Sequence, residues 1–478
     1  MIRAWRLAAG CGLAATLLLS ACKTVGPRYA GPPGLAVVNR PDAQGPFVGA
    51  DNPAFSKEIA PGDWWRLYRD PRLDDLVQQA FAANTDLRVA AANLERSQAL
   101  LRQVRAAREP SATANIDLDY AQLSAEAYLV PGQLPTFGLY DTGLSVSYEL
   151  DLFGRLHRAV QAASAEDEAV RAAYDLTKVT VAAETTRAYA QACGAGEELA
   201  AVRHSLELQK QSDALTRRLV RAGRGTALDT TRSSGLISQF QANIPALQIA
   251  QRNALYRLAV LTGRPPAAYP RDLESCASPP RLTSPIPIGD GAALLRRRPD
   301  IREAERDLAS ATARIGVATA GLYPTIRLGA SAGSTGALSD FATSPTPRYA
   351  MGPSISWQLN QSVPRARIAQ AEAETRMRLA RFDGVVLNAL REAEAALTTY
   401  ARDLDRNADL GRVRSRAADS VGQVQRLHAA GKVDFLSLLD AQRTLASADS
   451  ALAASDGQLS QDQVAIFLAL GGGWDVAA

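Results

Sequence analysis

Two nine-residue stretches, GLSVSYELD at residues 143–151 and GPSISWQLN at residues 352–360, decide the fold of this 478-residue chain. Apolar and polar residues alternate in both, and the stretches align position by position at an offset of 209 residues. A period of two places one kind of side chain on each face of a β-strand. Strands of this kind are typical of transmembrane β-sheets, and a half-buried sheet of a water-soluble protein is the alternative interpretation.

The similarity between the two halves extends beyond these stretches. Residues 84–113 share seven identities with residues 298–327 at an offset of 214, and residues 219–228 match residues 427–436 at an offset of 208. Self-similarity on this scale indicates a tandem duplication. The predicted organisation is a signal peptide (1–21), an N-terminal segment (22–62), repeat 1 (63–265), an inter-repeat linker (266–289), repeat 2 (290–474) and a tail (475–478).

Each repeat predicts the same order of elements: helix, strand, strand, very long helix and returning helix. The first helix spans about 72–109 in repeat 1 and about 299–321 in repeat 2. The β-hairpins are predicted at 112–151 and 325–360. The fold class is therefore mainly α with a small transmembrane β part.

The long helices are predicted at about 155–221 and 366–429. At about 1.5 Å per residue each would reach roughly 100 Å, so it needs neighbouring helices along its whole length. Both patterns stop at an Ala-Gly pair, Ala222–Gly223 and Ala430–Gly431, where glycine suits a helix C-terminal cap. A helix then returns in each repeat.

Composition excludes several classes of protein. Apolar residues make up 47% of the chain and charged residues 21%, which excludes a disordered chain. The mean hydropathy is −0.12, and after the signal peptide no run of roughly 18–20 apolar residues predicts a spanning helix. The 53 basic and 49 acidic residues nearly balance, so no nucleic-acid partner is expected.

The N-terminus predicts export and lipid attachment. Arg3 and Arg6 precede the apolar stretch Leu7–Leu19, as in a secretory signal peptide. The following Leu19–Cys22 is similar to a bacterial lipobox, in which Cys22 is acylated; a plain signal peptide with an incidental cysteine is the alternative. Lys23 does not resemble the aspartate of inner-membrane retention signals, which favours the outer membrane. More than one acyl chain gives stable anchoring.

Two cysteines remain once Cys11 has left with the signal peptide and Cys22 is acylated. Cys193 and Cys276 would lie in an oxidising compartment, where a disulfide can form. The sequence leaves open whether their Cα atoms come close enough to bond.

Enzyme signatures are weak in this chain. Gly329–Gly333 fits the GxSxG pattern, but a nucleophile elbow needs a strand, a tight turn and a helix, and here a small-residue strand continues. His157, His204 and His428 lie far apart, and the sequence contains no GxxxxGK[ST] phosphate loop. We therefore predict no enzyme activity, no metal and no cofactor.

Four strands cannot close a barrel, and an open sheet edge cannot lie in lipid. If the strands cross a membrane, several chains must combine theirs into one barrel. Closed symmetry makes a ring the expected arrangement.

The sequence resembles the TolC-like outer-membrane factors, in particular the OprM/NodT family of RND efflux outer-membrane lipoproteins. The resemblance covers nearly all of the mature chain. Its motifs are the lipobox, Val25–Tyr29, Asp63–Leu73, Asn84–Arg88, Leu294–Arg302 and Leu438–Arg443. It implies a homotrimer with a twelve-stranded β-barrel on an α-helical periplasmic tunnel, and it places the inter-repeat linker at the equator of that tunnel.

The resemblance also implies function and partners. Such proteins are exit ducts of tripartite efflux systems, in contact with a periplasmic adaptor (membrane fusion) protein, an inner-membrane transporter, here of the RND type, and outer-membrane lipid. Two alternatives stay open: a helical periplasmic scaffold lipoprotein without a pore, and an exit duct for type I protein secretion. Substrate choice lies mainly with the transporter.

The same resemblance assigns roles to residues at the periplasmic tip. The turns at Ala222, Gly223, Ala430 and Gly431 become adaptor-docking sites. The gate residues become Leu436, Asp440 and Arg443, with Asp229 and Arg232 as their repeat 1 analogues. Some relatives carry an acid where this chain has Ser437, so its acidic constriction is expected to be weaker. Without the resemblance, Asp440 is interpreted as a solvated helix residue paired with a neighbour.

Overall fold

A computed structural model describes residues 24–126, 129–341, 343 and 346–472. The predicted signal peptide, Cys22 and the tail at 475–478 lie outside these residues. The chain forms two compact units. One unit contains residues 24–32 with Leu94–Val170 and Ala304–Phe382; the other contains Pro33–Asn93, Arg171–Glu303 and residues 383–472. Both repeats contribute to each unit.

The same order of elements occurs twice, as the repeat predicts. Repeat 1 contains α1 (Pro71–Ala83), α2 (Thr85–Ala106), β1 (Ser111–Gln122), β2 (Thr136–Leu150), α3 (Arg155–Arg221) and α4 (Ala227–Leu261). Repeat 2 contains α5 (Gly291–Arg297), α6 (Pro299–Ala320), β3 (Thr325–Ala337), β4 (Pro347–Ser356), α7 (Ser362–Ala429) and α8 (Phe435–Ala469). The mainly α fold with a small β part is confirmed.

Short elements complete the described chain. A single helical turn at Pro41–Gln44 precedes α1, and a two-residue parallel pairing joins Phe55–Ser56 to Ile286–Pro287. The 3₁₀ helices span Val37–Asn39, Trp64–Tyr68, Pro266–Ala268, Arg271–Ser275 and Leu338–Asp340. No helix within the described ranges has the length and apolar character needed to cross a membrane.

The first helix of repeat 1 is broken, contrary to the prediction of one helix over about 72–109. Asn84 has an extended backbone (φ −60°, ψ 133°) and separates α1 from α2. Its side-chain oxygen accepts hydrogen bonds from the backbone N–H groups of Asp86 (2.9 Å) and Leu87 (3.2 Å), as an N-cap does. Its amide nitrogen donates to the carbonyl of Leu261 at 3.1 Å, at the end of α4.

Repeat 2 is broken at the aligned position. Arg298 lies between α5 and α6 with an extended backbone (φ −66°, ψ 122°). Its guanidinium donates to the carbonyl of Ala469 at 2.8 Å, at the end of α8, and also pairs with Asp300 and Glu392. In each repeat a side chain at the break thus satisfies a carbonyl at the end of the returning helix, which would otherwise lack a partner.

The four strands form one antiparallel sheet in the order β1-β2-β3-β4. Ser111 lies opposite Ser147, Gly143 opposite Gly333, and Gly329 opposite Gly352. The hairpin predicted to end at residue 360 ends earlier. Ser356 pairs with Thr325, the first residue of β3, and the preceding Pro324 has no N–H to extend the ladder.

One face of the sheet is apolar and exposed. Its large side chains that remain solvent-accessible in the isolated chain are Ile116, Leu118, Tyr120, Leu144, Val146, Tyr148, Leu328, Tyr349, Met351 and Ile355. The other face carries Ser, Thr, Gly and charged side chains, including the Arg348–Asp141 and Arg327–Glu149 ion pairs. The alternation predicted from sequence is present on all four strands.

The long helices match the predictions except at one end. Helix α3 spans the predicted residues, whereas α7 begins at Ser362 and not at 366. The side chain of Asn360 accepts a hydrogen bond from the Ser362 backbone N–H at 3.1 Å and initiates the helix there.

Candidate functional site

Two glycine turns join the long helices to the returning helices. Gly223 and Gly431 both have a φ of +70°, in the left-handed region that favours glycine. The next residue of each turn donates back to the last helical turn: Arg224 to Leu219 at 2.9 Å, and Lys432 to Leu427 at 2.9 Å. This is the Schellman arrangement. Ala222 and Ala430, the other predicted turn residues, are exposed.

The returning helix of repeat 1 begins with a capping box. The hydroxyl of Thr226 accepts from the backbone N–H of Asp229, and the Asp229 carboxylate accepts from the Thr226 N–H at 2.9 Å. The Thr-x-x-Asp spacing could have revealed this arrangement. Asp229 therefore stabilises a helix start, and the structure does not pair it with Arg232, which is exposed.

Repeat 2 uses different residues for the same purpose. Asp434 caps α8 by accepting from the backbone N–H of Ser437 at 3.0 Å and from its hydroxyl. These two hydrogen bonds hold the pKa of Asp434 below its usual value. Ser437, the position at which the resemblance predicts an acid in some related proteins, is thus part of a helix cap. Asp434 was missed by the sequence analysis, although Asp-x-x-Ser before an apolar run is an N-cap signal.

The predicted gate residues of repeat 2 lie on one face of α8. Leu436, Asp440 and Arg443 are all exposed. Asp440 and Arg443 form an ion pair at 3.1 Å with side chains 65% and 64% exposed. A pair this exposed contributes about 0–1 kcal/mol to stability. Its carboxylate and guanidinium are therefore accessible to ions in solution.

A cavity of about 710 Å³ lies beside the two turns. Leu215 and Leu219 line it from α3, and Val433 and Leu438 line it from the second turn and α8. His428 also lines it, with ring Nδ1 3.2 Å from the carbonyl oxygen of Val433. The cavity joins an apolar wall to a few amide and hydroxyl groups, as protein-binding grooves do.

A segment of the inter-repeat linker, which we call the strap (residues 274–282), is fastened to helices of both repeats. Cys276 is joined to Cys193 of α3 by a disulfide, with their Cα atoms 4.8 Å apart. The Ser460 hydroxyl of α8 donates to the carbonyl of Pro280 at 2.7 Å, and Arg281 pairs with Asp456.

Glycines allow the close contacts beneath the strap. A Cβ on Gly196 would clash with the carbonyl oxygen of Cys276. Two residues earlier, α3 and α8 approach closely, since a Cβ on Gly194 would lie 3.2 Å from the Gly457 Cα. The disulfide thus lies at the contact between the two helices.

A buried carboxyl lies near the strap. Asp462 is 6% exposed, and its carboxyl lies beside the carboxyl of Asp403. Burial and the neighbouring Asp403 carboxyl raise the pKa of Asp462 to about 6, although Gln458 donates to its Oδ1 at 2.8 Å. Tyr400, whose hydroxyl accepts from Gln463, and Arg281 also lie near this group.

Asp462→Asn is expected to stabilise the protein at pH 7.5 and to leave its stability unchanged near pH 3, below the unfolded-state pKa of about 3.9. A raised carboxyl pKa means that the folded state binds the proton more tightly than the unfolded state, so stability falls as the pH rises through about 6. Asparagine is uncharged at every pH, so we expect the free energy of unfolding at pH 7.5 to rise by about 1–2 kcal/mol. Denaturant unfolding at both pH values measures this change in the free energy of unfolding. The control is exposed Asp405→Asn; an equal gain in both variants at pH 7.5 would contradict the prediction.

The GxSxG pattern and the histidines lie in regular secondary structure and do not form an enzyme site of the kind they could indicate. Ser331 of the GxSxG pattern lies in the middle of β3, so this segment is not a nucleophile elbow. The ring of His157 contacts Gln161, and His204 lies on α3. In the part of the chain that the structure describes, no three His, Cys, Asp or Glu side chains are arranged to hold a metal ion.

Comparisons with known proteins agree with this architecture. The outer membrane efflux protein family model matches residues 76–264 and 292–472, one range in each repeat. Nodulation protein T of Rhizobium leguminosarum bv. trifolii is 28% identical over 467 residues, covering 97% of each chain. The toluene efflux pump outer membrane protein TtgI of Pseudomonas putida is 32% identical over 429 residues, covering 86% of this chain and 87% of TtgI.

A solved structure gives the same result for the fold. The outer-membrane channel OprN superposes with a TM-score of 0.87 at 35% identity, covering 95% of this chain and 100% of that one. Sequence and structure therefore agree over nearly the whole length. The chain belongs to the outer membrane efflux protein family.

Proposed function

We propose that this protein is the outer-membrane exit duct of a tripartite efflux system, passing small molecules through a trimeric tunnel. The observation that carries the proposal is the four-stranded sheet. Its apolar face is exposed, and its edge strands, β1 and β4, lie at the two ends of the strand order. Because lipid cannot satisfy an open edge, neighbouring copies must complete the ladder. Three copies give a twelve-stranded barrel.

The proposed partners are a periplasmic adaptor and an inner-membrane transporter, with an RND transporter as the specific type. Membership of the efflux family and the likeness to a toluene efflux pump component support this assignment. The exposed turns at Gly223 and Gly431, with the adjoining cavity, are the proposed docking surface. Backbone geometry common to both turns supports docking at each repeat.

Lipid anchoring at Cys22, by palmitate, is part of the same proposal. The lipobox at Leu19–Cys22 supports it, and Lys23 supports the outer membrane as the destination. The barrel would then span the outer membrane while most of the mass lies in the periplasm. Such a chain needs no cofactor, because the transporter supplies the energy.

Native mass spectrometry of the detergent-extracted protein, together with planar-bilayer recording, tests the duct. A trimer that forms discrete channels is the expected result. A monomer that leaves the membrane fraction without detergent would favour the scaffold alternative. Co-purification with a type I secretion transporter in place of an efflux transporter would favour the protein-secretion alternative.

For the gate we expect Asp440→Ala to raise the single-channel conductance several-fold. An aspartate at a constriction binds cations and pairs with arginine, so its removal loosens the closed state. The exposed Asp440–Arg443 pair contributes little to stability, so the folded protein should be unaffected.

The matched control for this variant is Asp405→Ala. Asp405 also forms an exposed i,i+3 pair with an arginine, Arg402, at 3.1 Å, but it lies on α7 about seven turns from Gly431. The single-channel conductance of Asp405→Ala should equal that of the wild type. Unchanged conductance in Asp440→Ala would remove Asp440 from the gate.

A further inference from the structure

The segment just after the predicted lipidation site is clamped to the base of the first hairpin. The backbone N–H of Val25 donates to the carbonyl of Phe153 at 3.1 Å. The guanidinium of Arg158 donates to the carbonyls of Val25 (Nε, 3.1 Å) and Gly26 (Nη2, 2.9 Å). Its remaining nitrogen, Nη1, donates to Gln161 at 2.8 Å. Arg158 is 5% exposed, so these bonds are shielded from water.

Three glycines allow the segment to approach so closely. Gly26 has a φ of +82°, and a Cβ there would lie 2.9 Å from the Gly316 nitrogen. A Cβ on Gly316 would lie 2.8 Å from the Arg158 Cγ, and one on Gly154 would lie 2.5 Å from the Thr24 Cγ2. These distances leave no room for side chains, so the extended segment lies directly on backbone and on the Arg158 stem.

A second contact holds the segment three residues further on. The Tyr29 hydroxyl donates to Glu305 at 3.1 Å, and the Arg306 guanidinium lies 5.8 Å from the Tyr29 ring centroid. Residues 24–29 are therefore fixed at two places, while Arg28 between them remains exposed.

The clamp lies at a defined level of the sheet. Phe153 and Gly154 lie in the short connection between the end of β2 at Leu150 and the start of α3 at Arg155. In the proposed duct this is where the chain leaves the outer membrane. Cys22 precedes Thr24 by two residues, and two residues of extended chain span at most roughly 7 Å. The clamp therefore limits how far an acyl group on Cys22 can lie from the end of β2.

We propose that Arg158 is the positioning residue of the lipid anchor. By binding the Val25 and Gly26 carbonyls it holds the acylated end of the chain at the membrane boundary of its own sheet, so that the acyl chains enter the lipid beside β2. A planar guanidinium can bind both carbonyls at once, whereas a lysine ammonium on a flexible stem cannot reproduce the fork. The inference rests on the proposed duct, in which the sheet spans the membrane and Cys22 carries the lipid.

Limited trypsin digestion of intact outer membranes tests the clamp. Cleavage after Arg28 requires local opening of residues 24–29, and the loss of charge-assisted hydrogen bonds makes that opening more frequent. We expect Arg158→Gln to be cut about tenfold faster than the wild type, and Arg158→Lys at an intermediate rate. The control is Arg155→Gln, because Arg155 lies one turn away and pairs with Glu149 instead.

A second measurement reads the position of the anchor. A fluorophore on Arg28→Cys should be quenched strongly by headgroup-level nitroxide lipids in the wild-type background, and several-fold less when Arg158 is glutamine. Equal digestion rates and equal quenching in Arg158→Gln and the wild type would overturn the proposal. If the mass of the intact protein shows that Cys22 is unmodified, the lipid anchor of the proposed function is refuted. In that case Arg158 should still protect residues 24–29 from trypsin.

Discussion

An arginine in place of Met351 is expected to prevent most of the protein from assembling in the outer membrane. Met351 lies in the middle of β4 on the apolar face of the sheet and is 87% exposed in the isolated chain. In the proposed barrel that face meets lipid, where arginine near the bilayer midplane costs about 2–4 kcal/mol for each strand. All three copies of a trimer would carry this penalty.

The neighbouring Ala350→Arg is the matched control. Successive residues of a strand point to opposite faces, and Ala350 lies opposite Ser331 on the polar face. This arginine is expected to assemble normally and to change only the conductance. The yield of heat-resistant trimer in outer-membrane fractions measures both variants. Equal yields would mean that the two faces do not separate lipid from water.

Removing the disulfide with Cys193→Ala and Cys276→Ala is expected to lower the free energy of unfolding by about 4–5 kcal/mol. The bridge closes a loop with a sequence separation of 83 residues, and the chain-entropy argument gives this upper range for such a loop. The strap should also lose its protection, because its remaining attachments are hydrogen bonds and an ion pair.

Denaturant unfolding and amide hydrogen exchange of residues 274–282 measure this effect. The wild type treated with dithiothreitol is the matched control, since it lacks the bond but retains both side chains. Faster amide hydrogen exchange confined to the strap would mean that the disulfide stabilises the strap and not the whole protein. If neither the unfolding midpoint nor the exchange changes, the bridge contributes nothing to stability.

Local patterns were sufficient to predict the strands and the turns. The alternation in GLSVSYELD required a strand that ends near Leu150, and the structure ends it there. Gly223 and Gly431 adopt the left-handed conformation that only glycine adopts easily at a helix end. The pairing of Asp440 with Arg443 likewise follows from their i,i+3 spacing on a helix.

Long-range contacts explain what the sequence could not predict. The helix break at Asn84 has a local N-cap signal, but its hydrogen bond to the carbonyl of Leu261, 177 residues away, has none in the sequence. Arg158 has no local signal either, because its partners at Val25 and Gly26 are backbone carbonyls of a distant segment. Side chains that bind backbone leave no complementary residue type in the sequence. Only the folded chain reveals such partners.

The two turns differ in chemistry, and this difference has a consequence for symmetry. Asp229 is engaged in a capping box, whereas the carboxylate of Asp440 is exposed to solvent. In a trimer the turns would alternate around the threefold axis, so their backbones would approximate sixfold symmetry while the exposed carboxylates would form a triangle. An adaptor that recognises the glycine turns can therefore occupy six positions, and one that recognises the exposed carboxylate can occupy three.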